Sequence, residues 1–211
     1  MTTKFDLLVV GGGILGTFHA YHALKKNLKV AILERNAVPQ GATVRNFGQV
    51  VPSGMDLKWQ NFGRESLEIY NELHTQADLT IRKNGSIYIA SNDEELQLIE
   101  ELYEINRNND YESVLLSKND CIKKFDGLRS DYCKGGLFFP QELSVDSADM
   151  IVKLHKLLQE KMGLQIFYNT TISETHEDNQ KCIATATDGT EFTASKIIIC
   201  GGHEFKTLYP N

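Results

Sequence analysis

Residues 6–17 read Asp-Leu-Leu-Val-Val-Gly-Gly-Gly-Ile-Leu-Gly-Thr, and the prediction of the fold starts from them. Its apolar run ends in glycines spaced as Gly11-x-Gly13-x-x-Gly16 and passes directly into a helical pattern. The next apolar run ends at Glu34, 21 positions after Gly13, where a carboxylate can accept hydrogen bonds from a ribose diol. A strand, glycine turn, helix, strand and acid in this order predict a dinucleotide-binding βαβ unit.

Each position in the turn has a physical reason to be what it is. Gly11 lets the backbone turn sharply out of the strand, and Gly13 has no Cβ to obstruct a pyrophosphate. Gly16 lets the helix lie close to the sheet. The helix then begins at Ile14 and Leu15, whose unpaired amides and positive dipole end favour phosphate groups.

The alternative is a glycine-rich turn of an α/β sheet that binds nothing. That alternative leaves the three spaced glycines and the terminal Glu34 unexplained together. We therefore predict a bound dinucleotide.

Composition excludes several classes of protein. The chain has 211 residues, enough for one large or two small domains, and a net charge of −6 argues against a nucleic-acid partner. No apolar run approaches the ~20 residues of a membrane span, and no secretory signal is visible. The four cysteines form no CxxC pair, so we expect reduced thiols, no metal site and a cytoplasmic location.

The rest of the chain alternates between helical and extended patterns. The sequence predicts a helix over 59–77, a hairpin of 79–82 with 86–90, helices capped by Ser91 and Ser147, a strand over 165–172, and a hairpin of 182–187 with 191–194. A last strand over 196–200 runs into Gly201 and Gly202. No internal repeat appears.

The polar loop after the second strand carries a family resemblance. Arg35 follows the acid, and Gly41-Ala42-Thr43-x-x-Asn46 then resembles the D-amino-acid oxidase, glycine oxidase and sarcosine oxidase group of flavoproteins. The sequence of residues 41–48 is most similar to that of a bacterial branch of FAD-dependent oxidoreductases linked to aminophosphonate breakdown. The resemblance implies FAD as the cofactor, whereas the alternative for this loop is a generic polar turn.

The resemblance also implies which residues contact FAD. Thr43 and nearby backbone groups would hold the pyrophosphate, Asn46, Phe47 and Gly48 would run beside the flavin ring, and the Ile172 backbone would reach the adenine. The full predicted set is Gly11, Gly13, Ile14, Leu15, Gly16, Glu34, Arg35, Gly41, Ala42, Thr43, Asn46, Phe47, Gly48, Ile172, Cys200 and Gly201. For Cys200 and Gly201 the alternative is an ordinary flexible turn after a strand.

The predicted fold class is α/β. It combines a Rossmann-like FAD-binding βαβ domain and β-meander, from residues 1–58 and 145–211, with part of an inserted α+β substrate domain at 59–144. In the resembling family this insertion lies over the flavin, which makes Tyr88, Phe138, Phe139 and Gln141 candidate pocket residues. Core packing is the favoured alternative for each aromatic residue.

The resemblance implies an oxidoreductase that oxidises an amine or amino-acid-like small molecule by hydride transfer to flavin. No residue is assigned to catalysis, because no nucleophile–base arrangement or carboxylate pair is recognisable. Family members continue beyond residue 211, so we expect a fragment or a chain completed by another chain or an oligomer. The alternatives are a nicotinamide-dependent dehydrogenase, whose sheet would continue as βαβαβ from residue 35, and a non-catalytic FAD-binding fragment.

Overall fold

The structure is a computed structural model that describes residues 4–178 and 181–209. Its strands, in chain order, are β1 (Lys4–Val10), β2 (Val30–Leu33), β3 (Gln49–Val50), β4 (Ser86–Ala90), β5 (Val114–Ser117), β6 (Gly135–Phe139), β7 (Leu143–Ser144), β8 (Gln165–Phe167), β9 (Ile172–Asp178), β10 (Lys181–Ala186) and β11 (Glu191–Ile199). Its helices are α1 (Ile14–Leu24), α2 (Leu57–His74), α3 (Asp93–Asn108), α4 (Lys118–Lys124), α5 (Ser147–Met162) and α6 (Phe205–Leu208).

The chain divides into two compact units. Unit 1 consists of Met1–Phe47, Gln76–Thr80 and Asp146–Asn211, and unit 2 consists of Gly48–Thr75 and Ile81–Val145. Each unit combines helices with a sheet, which confirms the predicted α/β class. The assignment of residues 1–58 and 145–211 to FAD binding and of residues 59–144 to a substrate domain stays a prediction.

Unit 1 is built on a six-stranded sheet in the order β8-β2-β1-β11-β10-β9. Strands β8, β2, β1 and β11 run parallel, while β9, β10 and β11 form the predicted antiparallel meander. In the register, Val10 lies beside both Leu33 and Ile199. The carboxyl ends of β1, β2 and β11 therefore meet at one edge of the sheet.

The core of unit 1 forms where the faces of its parallel strands are covered. All of β2 is buried, as expected for a strand in the interior of a parallel sheet. Helix α1 contacts β1, β2 and α5, and α5 contributes a buried face that includes Ile151, Leu154 and Leu158. Fully burying each such side chain contributes roughly 1.5–3 kcal/mol.

Unit 2 contains a three-stranded antiparallel sheet in the order β4-β6-β5 and a separate pair, β3 with β7. Helix α3 contacts all three strands of that sheet. The core cluster includes Ile99, Tyr111, Leu137 and Phe139. This sheet and its helices form the α+β part of the chain.

The predicted hairpin of residues 79–82 with 86–90 is wrong. Strand β4 pairs with β6, and Arg82 instead makes an isolated bridge with Ser144. Thr80 has a φ of 60°, which a β-strand does not accommodate. Its hydroxyl accepts a hydrogen bond of 3.1 Å from the amide of Asp146, which supports that conformation.

Other boundaries also differ from the sequence prediction. Residues 165–172 are not one strand, because β8 ends at Phe167 and Ile172 begins β9 after a turn in which Asn169 has a φ of 54°. The helix caps lie one residue away from those predicted. Asn92, rather than Ser91, caps α3, and Asp146, rather than Ser147, caps α5.

Candidate dinucleotide-binding site

Three strand ends form the site. Gly11 follows β1, Glu34 follows β2 and Cys200 follows β11. The amide of Gly11 donates to the carbonyl of Leu33 at 2.9 Å, and the amide of Cys200 donates to the carbonyl of Val10 at 2.7 Å. Ligands of open α/β sheets bind outside the carboxyl ends of such strands.

Two of the turn glycines are required by close backbone contacts. Gly11 has a φ of 105°, and a Cβ there would lie 2.4 Å from the carbonyl oxygen of Cys200. A Cβ on Gly16 would lie 2.0 Å from the carbonyl oxygen of Gly11. Neither position can therefore hold a larger residue without movement of the backbone. This is the close packing of helix and strand that the sequence predicted for Gly16.

Glu34 is buried and bound to the glycine turn. Its Oε2 accepts the amide of Gly12 at 2.8 Å. Its Oε1 accepts the backbone amide of Asn36 at 3.0 Å and the Asn36 side-chain amide at 3.3 Å. A carboxylate has about four acceptor positions, so three donors leave capacity for one more, such as a ribose hydroxyl.

The N-terminus of α1 lies against the predicted phosphate loop. The amide of Ile14, the first residue of α1, donates to Thr43 Oγ1 at 2.9 Å. Thr43 belongs to the 3₁₀ turn Ala42–Val44, and Asn46 Nδ2 donates to the carbonyls of Ala42 (3.1 Å) and Thr43 (2.6 Å). The structure thus brings Thr43 to the helix N-terminus, where a phosphate would be stabilised.

A buried layer of polar side chains supports the turn from behind. Thr17 Oγ1 donates to the carbonyl of Gly12 at 3.2 Å. The ring of His155 lies between Thr17 Oγ1, 2.8 Å from Nε2, and the Tyr168 hydroxyl, 3.0 Å from Nδ1. Burial lowers the pKa of His155 from 6.5 to about 4, although the Gly12 carbonyl and the charge of Glu34 oppose this shift. The imidazole is therefore neutral at pH 7.

Some predicted contact residues have other partners or are open to solvent. Arg35 forms an ion pair with Glu204 in which both side chains are partly exposed. Leu15 is 71% exposed and Phe47 is 94% exposed. Neither apolar side chain therefore packs into the described core, and both are accessible to a ligand.

The remaining predicted residues lie on the strands and turns. Ile172 begins β9 and packs, partly buried, against the core cluster of unit 1. Gly201 precedes the 3₁₀ turn Gly202–Glu204. Gly48 lies in unit 2, has a φ of 67°, and a Cβ there would lie 1.9 Å from the carbonyl oxygen of Val145.

Five residues of this site are not among those predicted from the sequence, namely Gly12, Thr17, Asn36, His155 and Tyr168. Gly12 occupies an unspecified position of the glycine motif, but its amide is the one that binds Glu34. His155 had a detectable signal, because it lies on the buried face of α5 between Ile151 and Leu158. A polar residue on an apolar helix face needs a buried partner.

Three of the candidate pocket residues of unit 2 contact other groups of the protein. Phe139 is fully buried, which confirms core packing for that ring, and it makes an edge contact with Tyr88. Tyr88 is 37% exposed. Gln141 Nε2 donates to the carbonyl of Glu112 at 2.9 Å.

A buried carboxylate that the sequence did not reveal organises unit 2. Glu142 is fully buried and accepts the amide of Ser53 at 2.7 Å and its hydroxyl at 3.0 Å. The hydroxyls of Tyr111, at 2.8 Å, and of Ser86 also donate to it. Burial, followed by the charge and hydrogen bond of Glu142, raises the pKa of Tyr111 far above its usual value.

Within residues 4–178 and 181–209, no three His, Cys, Asp or Glu side chains converge as metal ligands would. No helix in that part of the chain has the length and apolar character needed to cross a membrane.

Known proteins share this sequence and fold. The chain is 23% identical over 207 residues to L-2-hydroxyglutarate dehydrogenase of Escherichia coli (strain K12), covering 94% of this chain and 47% of that protein. It is 22% identical over 217 residues to glycine oxidase of Geobacillus kaustophilus (strain HTA426), covering 96% and 55%. The crystal structure of glycine oxidase from Geobacillus kaustophilus matches with a TM-score of 0.86 at 20% identity, over 99% of this chain and 58% of that one. The chain spans about half the length of these relatives.

The sequence matches the family of FAD dependent oxidoreductases (DAO) over residues 6–210. The match includes the glycine turn, Glu34, the loop around Thr43 and the meander. It confirms the predicted resemblance to the D-amino-acid oxidase group and the prediction of FAD over a nicotinamide cofactor. The chain therefore belongs to the DAO family of FAD dependent oxidoreductases.

Proposed function

We propose that this protein uses FAD to oxidise a small amine or amino-acid-like substrate at the C–H bond beside its nitrogen. The observation that carries the proposal is the hydrogen bond between Gly12 and Glu34, which joins the glycine turn to the acid at one edge of the sheet. FAD, when bound, supplies the hydride acceptor. The family match and the similarity to glycine oxidase support the choice of an amine donor.

The residues of the glycine turn suit the diphosphate of FAD. Gly11 and Gly13 present backbone without side chains, and a Cβ on Gly13 would lie 3.0 Å from Thr43 Oγ1, in the space beside the helix N-terminus. The amides of Leu15 and Gly16, at the start of α1, favour an anion there. Glu34 accepts a ribose hydroxyl in its remaining acceptor position.

The polar loop and the later strands complete the proposed cofactor contacts. Thr43 and the backbone of Gly41 and Ala42 bind phosphate oxygens, with Arg35 nearby on the same edge. Asn46, Phe47 and Gly48 run beside the flavin ring in the way that the resemblance implies. Ile172 contributes its backbone to the adenine, and Cys200 and Gly201 approach the diphosphate.

A second candidate substrate is a 2-hydroxy acid, which the similarity to L-2-hydroxyglutarate dehydrogenase favours. Amine and hydroxy-acid oxidation both remove a hydride from a carbon that bears an electron-donating heteroatom. The two substrates differ in the proton that must leave, from nitrogen in one case and oxygen in the other.

The completing partner and the location belong to the same proposal. The chain spans about half the length of its relatives, and the proposal includes a second copy of this chain or another chain as a completing partner. A cytoplasmic location is inferred from the sequence alone. A non-catalytic FAD-binding role is the outcome if substrate oxidation is never observed.

Cofactor binding is tested first. The purified protein is titrated with FAD, and quenching of flavin fluorescence gives the dissociation constant. We expect saturable binding of FAD, a higher melting temperature with added FAD, and no comparable effect of NAD. A protein that binds NAD but not FAD would overturn the proposal.

Substrate class is tested by anaerobic flavin reduction. The FAD-loaded protein is mixed with glycine, sarcosine, other amino acids, or L-2-hydroxyglutarate, and the flavin absorbance is followed. Bleaching with the amines but not the hydroxy acid supports amine oxidation, whereas the reverse pattern supports the second candidate. FAD binding without bleaching by any compound supports the non-catalytic role.

A further inference from the structure

We propose that Thr17 and His155 are positioning residues that hold the Gly12 peptide in the orientation that FAD requires, and that Tyr168 fixes the ring of His155 for this task. The inference rests on the proposed FAD site. None of these side chains is among the residues that the sequence predicted to contact the cofactor.

The hydrogen-bond directions follow from counting protons. Thr17 has one hydroxyl proton, which it donates to the carbonyl of Gly12 at 3.2 Å. The short contact of 2.8 Å with His155 Nε2 must then have His155 as the donor. With its one ring proton on Nε2, the neutral imidazole accepts the Tyr168 hydroxyl at Nδ1, 3.0 Å away. The protons therefore all point one way, from Tyr168 through His155 and Thr17 to Gly12.

The peptide that receives this chain is also held on its other side. The carbonyl of Gly12 is fixed by Thr17, and the amide of Gly12 is fixed by Glu34 at 2.8 Å. A Cβ on Gly12 would lie 3.2 Å both from Glu34 Oε2 and from His155 Cε1. The Gly12 peptide thus lies between the acid and the buried ring, with little room to rotate.

Because Thr17 and His155 are buried, the loss of either of their hydrogen bonds is costly. Thr17 is fully buried and His155 is 1% exposed, so water cannot replace a lost partner on either side chain. Removing the Thr17 hydroxyl leaves the Gly12 carbonyl and the His155 N–H without their partners. Gly12 separates Gly11 from Gly13, so any rotation of its peptide moves the backbone that faces the diphosphate.

The test compares variants that differ only in hydrogen bonding. Thr17→Val has nearly the same shape as threonine but no hydroxyl, and Thr17→Ser keeps the hydroxyl. His155→Leu removes both ring nitrogens, and His155→Gln keeps a donor near the position of Nε2. The dissociation constant for FAD is measured by fluorescence quenching at pH 7, together with the melting temperature of each FAD-free variant.

We expect Thr17→Val and His155→Leu to weaken FAD binding about tenfold, which corresponds to about 1.4 kcal/mol, because the Gly12 peptide is then no longer held in one orientation. Thr17→Ser and His155→Gln are expected to stay within about threefold of the wild type. Equal dissociation constants for Thr17→Val and Thr17→Ser would overturn the proposal, since shape alone would then decide binding.

The protonation state of the His155 ring gives a second readout that does not depend on FAD binding. Long-range ¹H–¹⁵N NMR of the histidine rings reports which nitrogen is protonated, and the signal missing in His155→Gln identifies His155. We expect the proton on Nε2 in the FAD-free protein, and a changed Nδ1 shift in Tyr168→Phe. A proton on Nδ1 would overturn the proposal.

The two measurements separate this inference from the proposed function. If the wild-type protein binds no FAD, the proposed function fails, whereas the NMR result still tests the hydrogen-bond chain. If FAD binds with equal strength to all four variants, the proposed function stands and the positioning role fails.

Discussion

The amide of Gly12 donates a 2.8 Å hydrogen bond to Oε2 of Glu34, so the acid that follows β2 is tied to the turn that follows β1. The same carboxylate accepts two bonds from Asn36 through its other oxygen. Glu34 therefore organises the protein before any ligand arrives, in addition to its proposed contact with a ribose. The two contributions can be separated by experiment.

Replacing Glu34 affects both the folding stability and the binding of FAD, and each effect is measured separately. Glu34→Ala leaves the buried amide of Gly12 without an acceptor, which costs about 1–3 kcal/mol of unfolding free energy. It also removes the proposed ribose contact, so we expect FAD to bind at least about tenfold more weakly. Glu34→Gln, which keeps one acceptor oxygen, is the control and should fall between. Chemical denaturation and FAD titration supply the two numbers. An alanine variant as stable and as tight-binding as wild type would contradict this role.

Gly11 should be the least replaceable glycine of the turn. Gly11→Ala combines a φ of 105° with a Cβ 2.4 Å from the Cys200 carbonyl oxygen, and we expect a loss above about 3 kcal/mol. Gly163→Ala is the matched control, because Gly163 has a φ of 73° but no atom within 4 Å of the added Cβ. That variant should lose only about 1 kcal/mol. Thermal unfolding of both variants measures the difference, and equal losses would rule out the close contact as the cause.

His155 makes stability depend on pH below neutrality. Its pKa falls from 6.5 in the unfolded chain to about 4 in the folded protein, chiefly through burial, with Glu34 and Tyr168 as the titratable groups that face its ring. Between those pH values the unfolded chain binds the proton and the folded chain does not, so folding stability falls as the pH drops. The contribution present at pH 7 that is lost by pH 4 is on the order of 3 kcal/mol.

The control for this prediction is His155→Gln, which does not titrate in that range. The unfolding free energy of the wild type minus that of the variant should decrease from pH 6.5 to pH 4, as measured by urea denaturation at several pH values. A difference that is constant across the range would show that His155 does not titrate as proposed. Carboxylates and the other histidines affect both proteins and cancel in the comparison.

Glu142 should be as important to unit 2 as Glu34 is to unit 1. Glu142→Leu leaves the Ser53 amide and the hydroxyls of Tyr111 and Ser86 without their buried acceptor, and we expect a loss of about 3 kcal/mol or more. Glu142→Gln keeps one oxygen and should lose less. In both variants the pKa of Tyr111 should fall toward its ordinary value, because the nearby negative charge is gone. Denaturation and ultraviolet titration of tyrosine check these outcomes, and an unchanged Tyr111 pKa would contradict the second.

The order of elements was readable from local patterns. The glycine spacing and the apolar runs predicted β1, α1, β2 and the β10–β11 hairpin, and the structure has all of them. The strands predicted separately over 191–194 and 196–200 are one strand, β11. Gly163, at the end of α5, has a φ of 73°, which glycine adopts readily. Such features depend on the backbone preferences of a few neighbouring residues, so a single sequence reveals them.

The errors lie where distant residues decide the conformation. Thr80 looked like a strand residue, but its hydroxyl bonds to Asp146 and its φ is positive. Strand β4 could have paired with the residues just before it, yet it pairs with β6 across a long intervening segment. Pattern alone does not choose among strand partners, because several neighbours satisfy the same alternation.

The dinucleotide turn, the acid that follows β2 and the family of the chain can all be recognised from the amino-acid sequence. Those properties depend on residue types at short, fixed spacings. The three-dimensional fold was needed to reveal that Gly12 binds Glu34 and that His155 contacts Thr17 from a helix far along the chain. It also revealed that Glu142 accepts four hydrogen bonds in unit 2. A buried polar group must find its partner wherever the fold brings one, and that partner has no fixed distance in the sequence.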